Sequence, residues 1–213
     1  MHTMTILHNA RAWLGLVLTL SLSAMTPWSH AAIDPKEQSP HRLVEEVTRE
    51  MFTIVEEYKG GKKNSEKYHQ EITRLLEPVV DFDFIARAVM GSYRKDASDE
   101  QARRFAQIFK KGLVETYAKG IAGYVDSEVK VLPPSKEDAN KRRISVHQEV
   151  RHDGSKHQLS YTMVQNRADE WKLINLVLDG VNLGKSFRSQ FQQSAKQQNG
   201  NLDKVIGTWL DDV

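Results

Sequence analysis

The sequence predicts an α+β fold, with helices packed on a curved antiparallel sheet. Three observations carry this. Apolar residues recur at spacings of three and four from Leu43 to Tyr117. From Val125 the period changes to two. Amphipathic helical spacing then returns near the end, at Leu202, Val205, Ile206, Trp209 and Leu210.

The first residues differ from the rest of the 213. Arg11 is the only charged side chain before Asp34, and it precedes the apolar run Trp13–Leu22. Ser29-His30-Ala31 offers small residues for cleavage after Ala31. A basic start, a short apolar stretch and a small-residue exit form a secretory signal peptide. The run is too short to span a bilayer, which needs roughly 20 residues. The expected organisation is a signal peptide over 1–31 and a single domain over 32–213.

Without Arg11 the 30 Lys+Arg and 28 Asp+Glu nearly balance. That argues against non-specific attraction to DNA, which needs a basic excess. There are no cysteines, so disulfides and thiol chemistry are excluded together. No second apolar stretch is long enough for a membrane span.

Pro35 and Pro40 mark a flexible start. A first helix then carries Leu43, Val44, Val47, Met51, Ile54, Val55 and Tyr58 on one face, and Gly60-Gly61 stops it. Asn64 or Ser65 caps a second helix, with Tyr68, Ile72, Leu75 and Leu76 inward and Pro78 at its end. Asp81 caps a third, which stops at Gly91. Ser98 and Gln101 form a capping box for a longer helix. Its apolar face is Ala102, Phe105, Ala106, Phe109, Leu113 and Tyr117.

Val129 and Val131 open the strand region. Ile144, Val146 and Val150 alternate with polar neighbours. Asp153-Gly154 is a turn signal leading to Leu159, Tyr161 and Met163. Trp171–Leu178 is almost continuously apolar, as expected of a strand covered on both faces. About four strands are expected. Gln192–Asn201 reads as a loop or frayed helix, and the final amphipathic segment as a partial cover for the sheet.

Catalytic motifs are scarce. There is no Gly-rich phosphate loop, nucleophile elbow or His-Glu-x-x-His. His147, His152 and His157 surround one hairpin, but no supporting carboxylate pattern makes them a metal site. Asp81 and Asp83 are simpler as cap and helix-dipole partner than as an acid–base pair. Asp179 before Gly180 is simpler as a turn residue. Aromatic and Met side chains between helices and sheet can fill a core or line an apolar pocket. Composition does not separate the two.

The stretch Leu76-Glu77-Pro78-Val79-Val80-Asp81-Phe82-Asp83-Phe84-Ile85-Ala86-Arg87-Ala88-Val89-Met90-Gly91 resembles the opening signature of the MlaC family, also called toluene-tolerance auxiliary proteins. Further words agree in order: Phe105–Lys110, Leu113–Ala118, Val129–Pro133, Trp171-Lys172-Leu173, Gly180-Val181 and Phe187–Phe191. The resemblance covers nearly all of residues 32–213. The chain departs from the family pattern at Asn175, Asp179 and Asn182.

The resemblance implies a periplasmic phospholipid carrier on a cone similar to nuclear transport factor 2, with an added helical part and a deep apolar pocket. It implies exchange with an outer-membrane lipoprotein–porin complex and an inner-membrane ABC transporter with a substrate-binding ring. Such a carrier maintains outer-membrane lipid asymmetry. It implies no cofactor, metal or catalytic residue. Helical face and strand parity, with Trp171 and Leu173 inward, make the expected lining Val80, Phe84, Val89, Met90, Tyr93, Phe105, Phe109, Leu113, Tyr117, Val146, Val150, Tyr161, Met163, Trp171, Leu173, Val177, Val181 and Phe187. Arg188, Lys110 and Lys111 are candidates for head-group phosphate or an acidic partner surface. Two other readings are an enzyme on the same cone, using Asp83 or Asp179 with a tyrosine, and a chaperone-like module with an open peptide groove.

Overall fold

The computed structural model describes residues 33–138 and 140–210. The expected signal peptide lies outside them. Helices α1 (Pro40–Glu57), α2 (Ser65–Leu76), α3 (Phe82–Met90) and α4 (Asp99–Ile121) come first. Strands β1 (Glu128–Val131), β2 (Arg143–His152), β3 (Ser155–Gln165), β4 (Trp171–Leu178) and β5 (Val181–Asn182) follow. Helices α5 (Leu183–Gln197) and α6 (Leu202–Thr208) close the order. The fold is α+β, with five strands where about four were expected. The addition is β5, two residues long.

Side-chain caps set the helix starts. Asn64, rather than Ser65, accepts the Lys67 N–H at 3.0 Å. Asp81 accepts the Phe84 N–H at 2.8 Å. Ser98 and Gln101 bond reciprocally, at 3.0 and 2.9 Å, as a capping box. Each cap satisfies N–H groups that the helix itself leaves unpaired, worth about 1 kcal/mol. Asn182 caps α5 by accepting from Lys185 N–H. The serine that the family resemblance leads one to expect there would do the same work, so this departure preserves the local structure.

The strands form one antiparallel meander in the order β1-β2-β3-β4-β5. Asp153 and Gly154 both have positive φ, 46° and 76°, as the two-residue β2–β3 turn requires. Partners across the ladder share a face. One face carries Val129 and Val131, then Ile144, Val146, Gln148 and Val150, then His157, Leu159, Tyr161 and Met163. The opposite face of β2, with Arg143, Ser145, His147 and Arg151, is exposed.

Strand β4 breaks the alternation. Met163 pairs with Leu173 while Thr162 pairs with Asn175, leaving Ile174 as a bulge. Leu173, Leu176 and Leu178 therefore all share the face of Met163 and Tyr161. Val177 lies on the opposite face with Asn175. Every residue of Trp171–Leu178 is half-buried or buried, so both faces are covered in part, and the inserted residue adds one further apolar position to the run. At the far edge of β4, Leu173 donates its N–H to Val79 O and accepts from Asp81 N–H, at 2.8 and 3.0 Å. Val80 is the parallel partner of Leu173.

Three packed groups hold the layers together. In the first, Phe105 and Phe109 of α4 meet Phe187 and Phe191 of α5 and Trp209 beyond α6. Several pairs are edge-to-face, such as Phe105–Trp209 at 5.2 Å and 83°. The second joins Leu43 and Val44 of α1, Val79, Val80 and Phe82 to Ile144, Val146 and Met163 of the sheet. The third joins α1, α2 and α4 around Tyr68.

Two expectations need correction. Helix α5 continues through Gln192–Gln197, because Phe187, Phe191, Ser194 and Ala195 bury one face at spacings of four, three and one. Helix α6 packs on α4 and α5 and does not cover the sheet's polar face. Among the described residues, no helix is long and apolar enough to cross a membrane.

Candidate functional site

The inward face of the sheet divides into two zones. Ile144, Val146 and Met163 are 6%, 0% and 2% exposed, packed under α1 and the Val79–Phe82 segment. Farther along β3 and β4, Leu159, Tyr161, Leu176 and Leu178 are only half-buried. Leu159, Leu176 and Leu178 belong to none of the three packed groups. They form an apolar shelf that the helices leave partly uncovered. An uncovered inward-facing apolar surface is what a hydrophobic ligand needs.

Helix α4 supplies side chains above this region. Leu113 packs against both the helical and the sheet groups. Tyr117, one turn later, is 40% exposed, with its ring 6.4 Å from that of Phe187 at 90°. At the β5 rim, Val181 shares the face of its partner Leu178 and is 54% exposed.

One polar connection crosses the apolar layer. The Tyr161 hydroxyl donates to Gln148 Oε1 at 2.7 Å. Gln148 Nε2 donates to Thr48 Oγ1 at 3.0 Å, and Thr48 donates to Val44 O at 2.8 Å. Gln148 is 3% exposed. Burial pushes the Tyr161 hydroxyl well above the usual tyrosine range, so it stays a protonated donor. The residue as a whole is nonetheless only half-buried, like its neighbours Leu159 and Leu176.

A second polar cluster lies at the hairpin end of the same face. The Tyr124 ring is 5.1 Å from that of His152 and 5.7 Å from that of His157. Ser127 Oγ is 3.1 Å from His152 Nδ1. His157 Nδ1 is 2.8 Å from Asp179 Oδ2, and Asp179 Oδ1 accepts the Gln158 N–H at 2.7 Å. The backbone N–H and then His157 hold the Asp179 carboxyl below its usual range. Asp179 is thus the turn residue of the β4–β5 hairpin. No group of three metal-ligating side chains occurs among the described residues.

The expected lining separates by place. Leu113, Tyr117, Val146, Val150, Tyr161, Met163, Trp171, Leu173 and Val181 lie on the inward sheet face or on α4 beside it. Val89, Met90, Phe105, Phe109 and Phe187 pack into the helical group with Trp209, where they fill one another's space, and Tyr93 packs against that group. Val80 is buried beside Leu173. Phe84 is 41% exposed on α3. Val177 points away because the Ile174 bulge reverses parity after Leu173. Leu159, Leu176, Leu178 and Gln148 are additions. Counting by two from Leu173 misses Leu176 and Leu178, and a lone Gln in a strand gives no sign of being buried.

The cations are engaged elsewhere. Lys110 pairs with Glu77 at 2.6 Å and Lys111 with Glu115 at 3.8 Å. Arg188 Nε donates to Ala88 O at 2.7 Å, tying α5 to α3. Asp83 and Asp179 are both exposed, so the acid–base site of the enzyme reading does not assemble. A groove of about 530 Å³ runs along Ser65, Glu66, His69, Gln70, Thr73, Arg74, Glu77 and Glu115. Another, of about 350 Å³, lies between α3 and α4 beside Lys110. Both are rich in charged side chains and open, and such surfaces give acyl chains no apolar enclosure.

Known proteins resemble this chain in sequence or in fold. The Toluene tolerance protein ttg2D of Pseudomonas putida is 35% identical over 180 residues, covering 83% of this chain and 82% of that one. The Intermembrane phospholipid transport system binding protein MlaC of Haemophilus influenzae is 25% identical over 151 residues, covering 69% and 70%. A phospholipid-binding protein from Ralstonia solanacearum, solved in complex with a phospholipid, superposes with a TM-score of 0.71 at 22% identity, over 84% of this chain and 96% of that one. The family model for the MlaC protein matches residues 45–211. With the signature words, the shared fold and this match in agreement, the chain belongs to the MlaC family.

Proposed function

We propose that this protein is a periplasmic phospholipid carrier. One observation supports the reading above others: the half-buried shelf of Leu159, Tyr161, Leu176 and Leu178 on an otherwise packed sheet face. Relatives named for phospholipid transport and phospholipid binding point to the same ligand.

The physical demand is large. Each buried CH₂ contributes about 0.8 kcal/mol, so two acyl chains of roughly 30 such groups would cost on the order of 20 kcal/mol to expose to water. A carrier must enclose most of both chains, while the head group can remain in water. Little specific polar chemistry is then required, and the protein is a binder and not an enzyme. Residues 1–31 direct export and are removed after Ala31, leaving one domain over 32–213. The carrier exchanges lipid with an outer-membrane lipoprotein–porin complex and an inner-membrane ABC transporter bearing a substrate-binding ring, maintaining outer-membrane asymmetry.

The test is organic extraction and mass spectrometry of protein purified from the periplasm. Stoichiometric phospholipid is expected, with its transfer to and from loaded partner complexes. Protein devoid of phospholipid, and unable to take it up, would overturn the proposal.

A further inference from the structure

The boundary between the two zones of the inward face falls at one residue. Along β3, Met163 is 2% exposed and belongs to the packed group. Leu159, four positions earlier on the same face, belongs to the uncovered shelf. Tyr161 stands between them. On one side its neighbours are core, and on the other lie the half-buried leucines of the shelf.

An apolar side chain at such a boundary can change rotamer and let a chain methyl slide past. Tyr161 is held differently. Its hydroxyl is fixed to Gln148, which is fixed to Thr48, which is fixed to the backbone of α1 at Val44. The ring is therefore anchored to the sheet at Cβ and, through the hydroxyl, to α1. Packing alone does not call for this arrangement. A phenylalanine and a leucine would fill the same volume without a buried amide that must find partners. Directional bonds supply orientation, which apolar contact does not.

We infer that Tyr161 is the stop that sets how far an acyl chain can enter, with Gln148 and Thr48 as positioning residues for its ring. This rests on the phospholipid-binding reading. Up to the stop, each added methylene raises affinity about fourfold. Beyond it, extra methylenes gain no burial and affinity levels off.

The probe is a set of phosphatidylglycerols with saturated chains graded from lauroyl to stearoyl, titrated against delipidated full-length mature protein. The wild type should show rising affinity and then a plateau. Tyr161→Ala should move the plateau to longer chains. Thr48→Val keeps the shape of α1 but cuts the anchor. It should raise the stearoyl-to-lauroyl affinity ratio by about fifteenfold, what two newly admitted methylenes contribute. A purely structural role for the anchor would lower both affinities together and leave their ratio unchanged. Should Tyr161→Ala fail to fold, Thr48→Val decides the question. Wild type and folded variants sharing one plateau would overturn the stop while leaving the phospholipid reading intact. Wild-type protein that binds none of the lipids would overturn that reading, and the stop with it.

Discussion

The hydroxyl of Tyr68 in α2 donates a 2.7 Å hydrogen bond to the carbonyl oxygen of Ala118, near the end of α4. Tyr68 is 0% exposed. The last carbonyls of a helix have no partner within it, and a buried one must find a partner elsewhere. Gly120 and Gly123 weaken this helix end, and the tyrosine secures it. Burial holds the hydroxyl above its usual pKa, which keeps the donor protonated.

Tyr68→Phe should therefore lower stability by about 1–3 kcal/mol, the cost of leaving a buried acceptor unpaired. Urea denaturation followed by far-UV circular dichroism measures this. The loss should be constant at neutral pH and shrink above about pH 10, the usual tyrosine range. The reason is the sign of the shift. The folded hydroxyl holds its proton when the unfolded chain releases it, so the wild-type advantage is complete below that pH and declines above it.

Gly60 joins the end of α1 to the end of α4. Its φ is +62°, and a Cβ there would lie 2.6 Å from Ala122 Cβ. Gly60→Ala meets both backbone strain and a clash. It should destabilise by about 1–3 kcal/mol, again read from denaturant midpoints. Gly154→Ala has a positive φ but open space around it, so it should cost less.

Asp179→Asn tests the β4–β5 turn. Asparagine tolerates the positive φ of 47° but removes the charge. The native carboxylate is held below its usual pKa by the Gln158 N–H and then by His157. Its stabilisation is present above about pH 4 and disappears as the pH falls through the lowered folded value. Wild type and variant should thus differ in thermal midpoint at pH 6 and converge on the acid side.

The bulge at Ile174 makes a parity prediction. Leu176→Gln and Leu178→Gln place an amide on the shelf and should each reduce phospholipid uptake roughly tenfold, since an unpaired buried amide costs about 1–3 kcal/mol. Val177→Gln, on the opposite face, should bind as the wild type does. Fluorescence displacement of a lipid probe compares the three. Equal effects at 176 and 177 would contradict the observed register.

Local chemistry in the sequence specified the helix starts and the main hairpin. Asp81, Ser98 with Gln101, and Asp153-Gly154 act through neighbours within a few residues, so their spacing is visible in the chain. The shelf was legible only in part. Tyr161 follows from alternation, but in β4 the alternation fails at Ile174, and a bulge is defined by the partner strand. Gln148 was not legible either. Its burial depends on Thr48, 100 residues away, and its hydrogen bonds are settled by tertiary packing. Helix α5 extends past Gln192 for a similar reason: small Ser194 and Ala195 fit closely against neighbouring elements, a role that hydropathy does not reveal.

The pairing of Val79–Asp81 with Leu173 has a further effect. Strand β4 would otherwise end the sheet with free amide and carbonyl groups, beside a surface rich in leucine. Such a border invites a second molecule to add its own strand. Here the connection between α2 and α3 occupies one end of that border, and β5 occupies the other. At that border the sheet thus offers neighbouring copies no template for growth into fibrils.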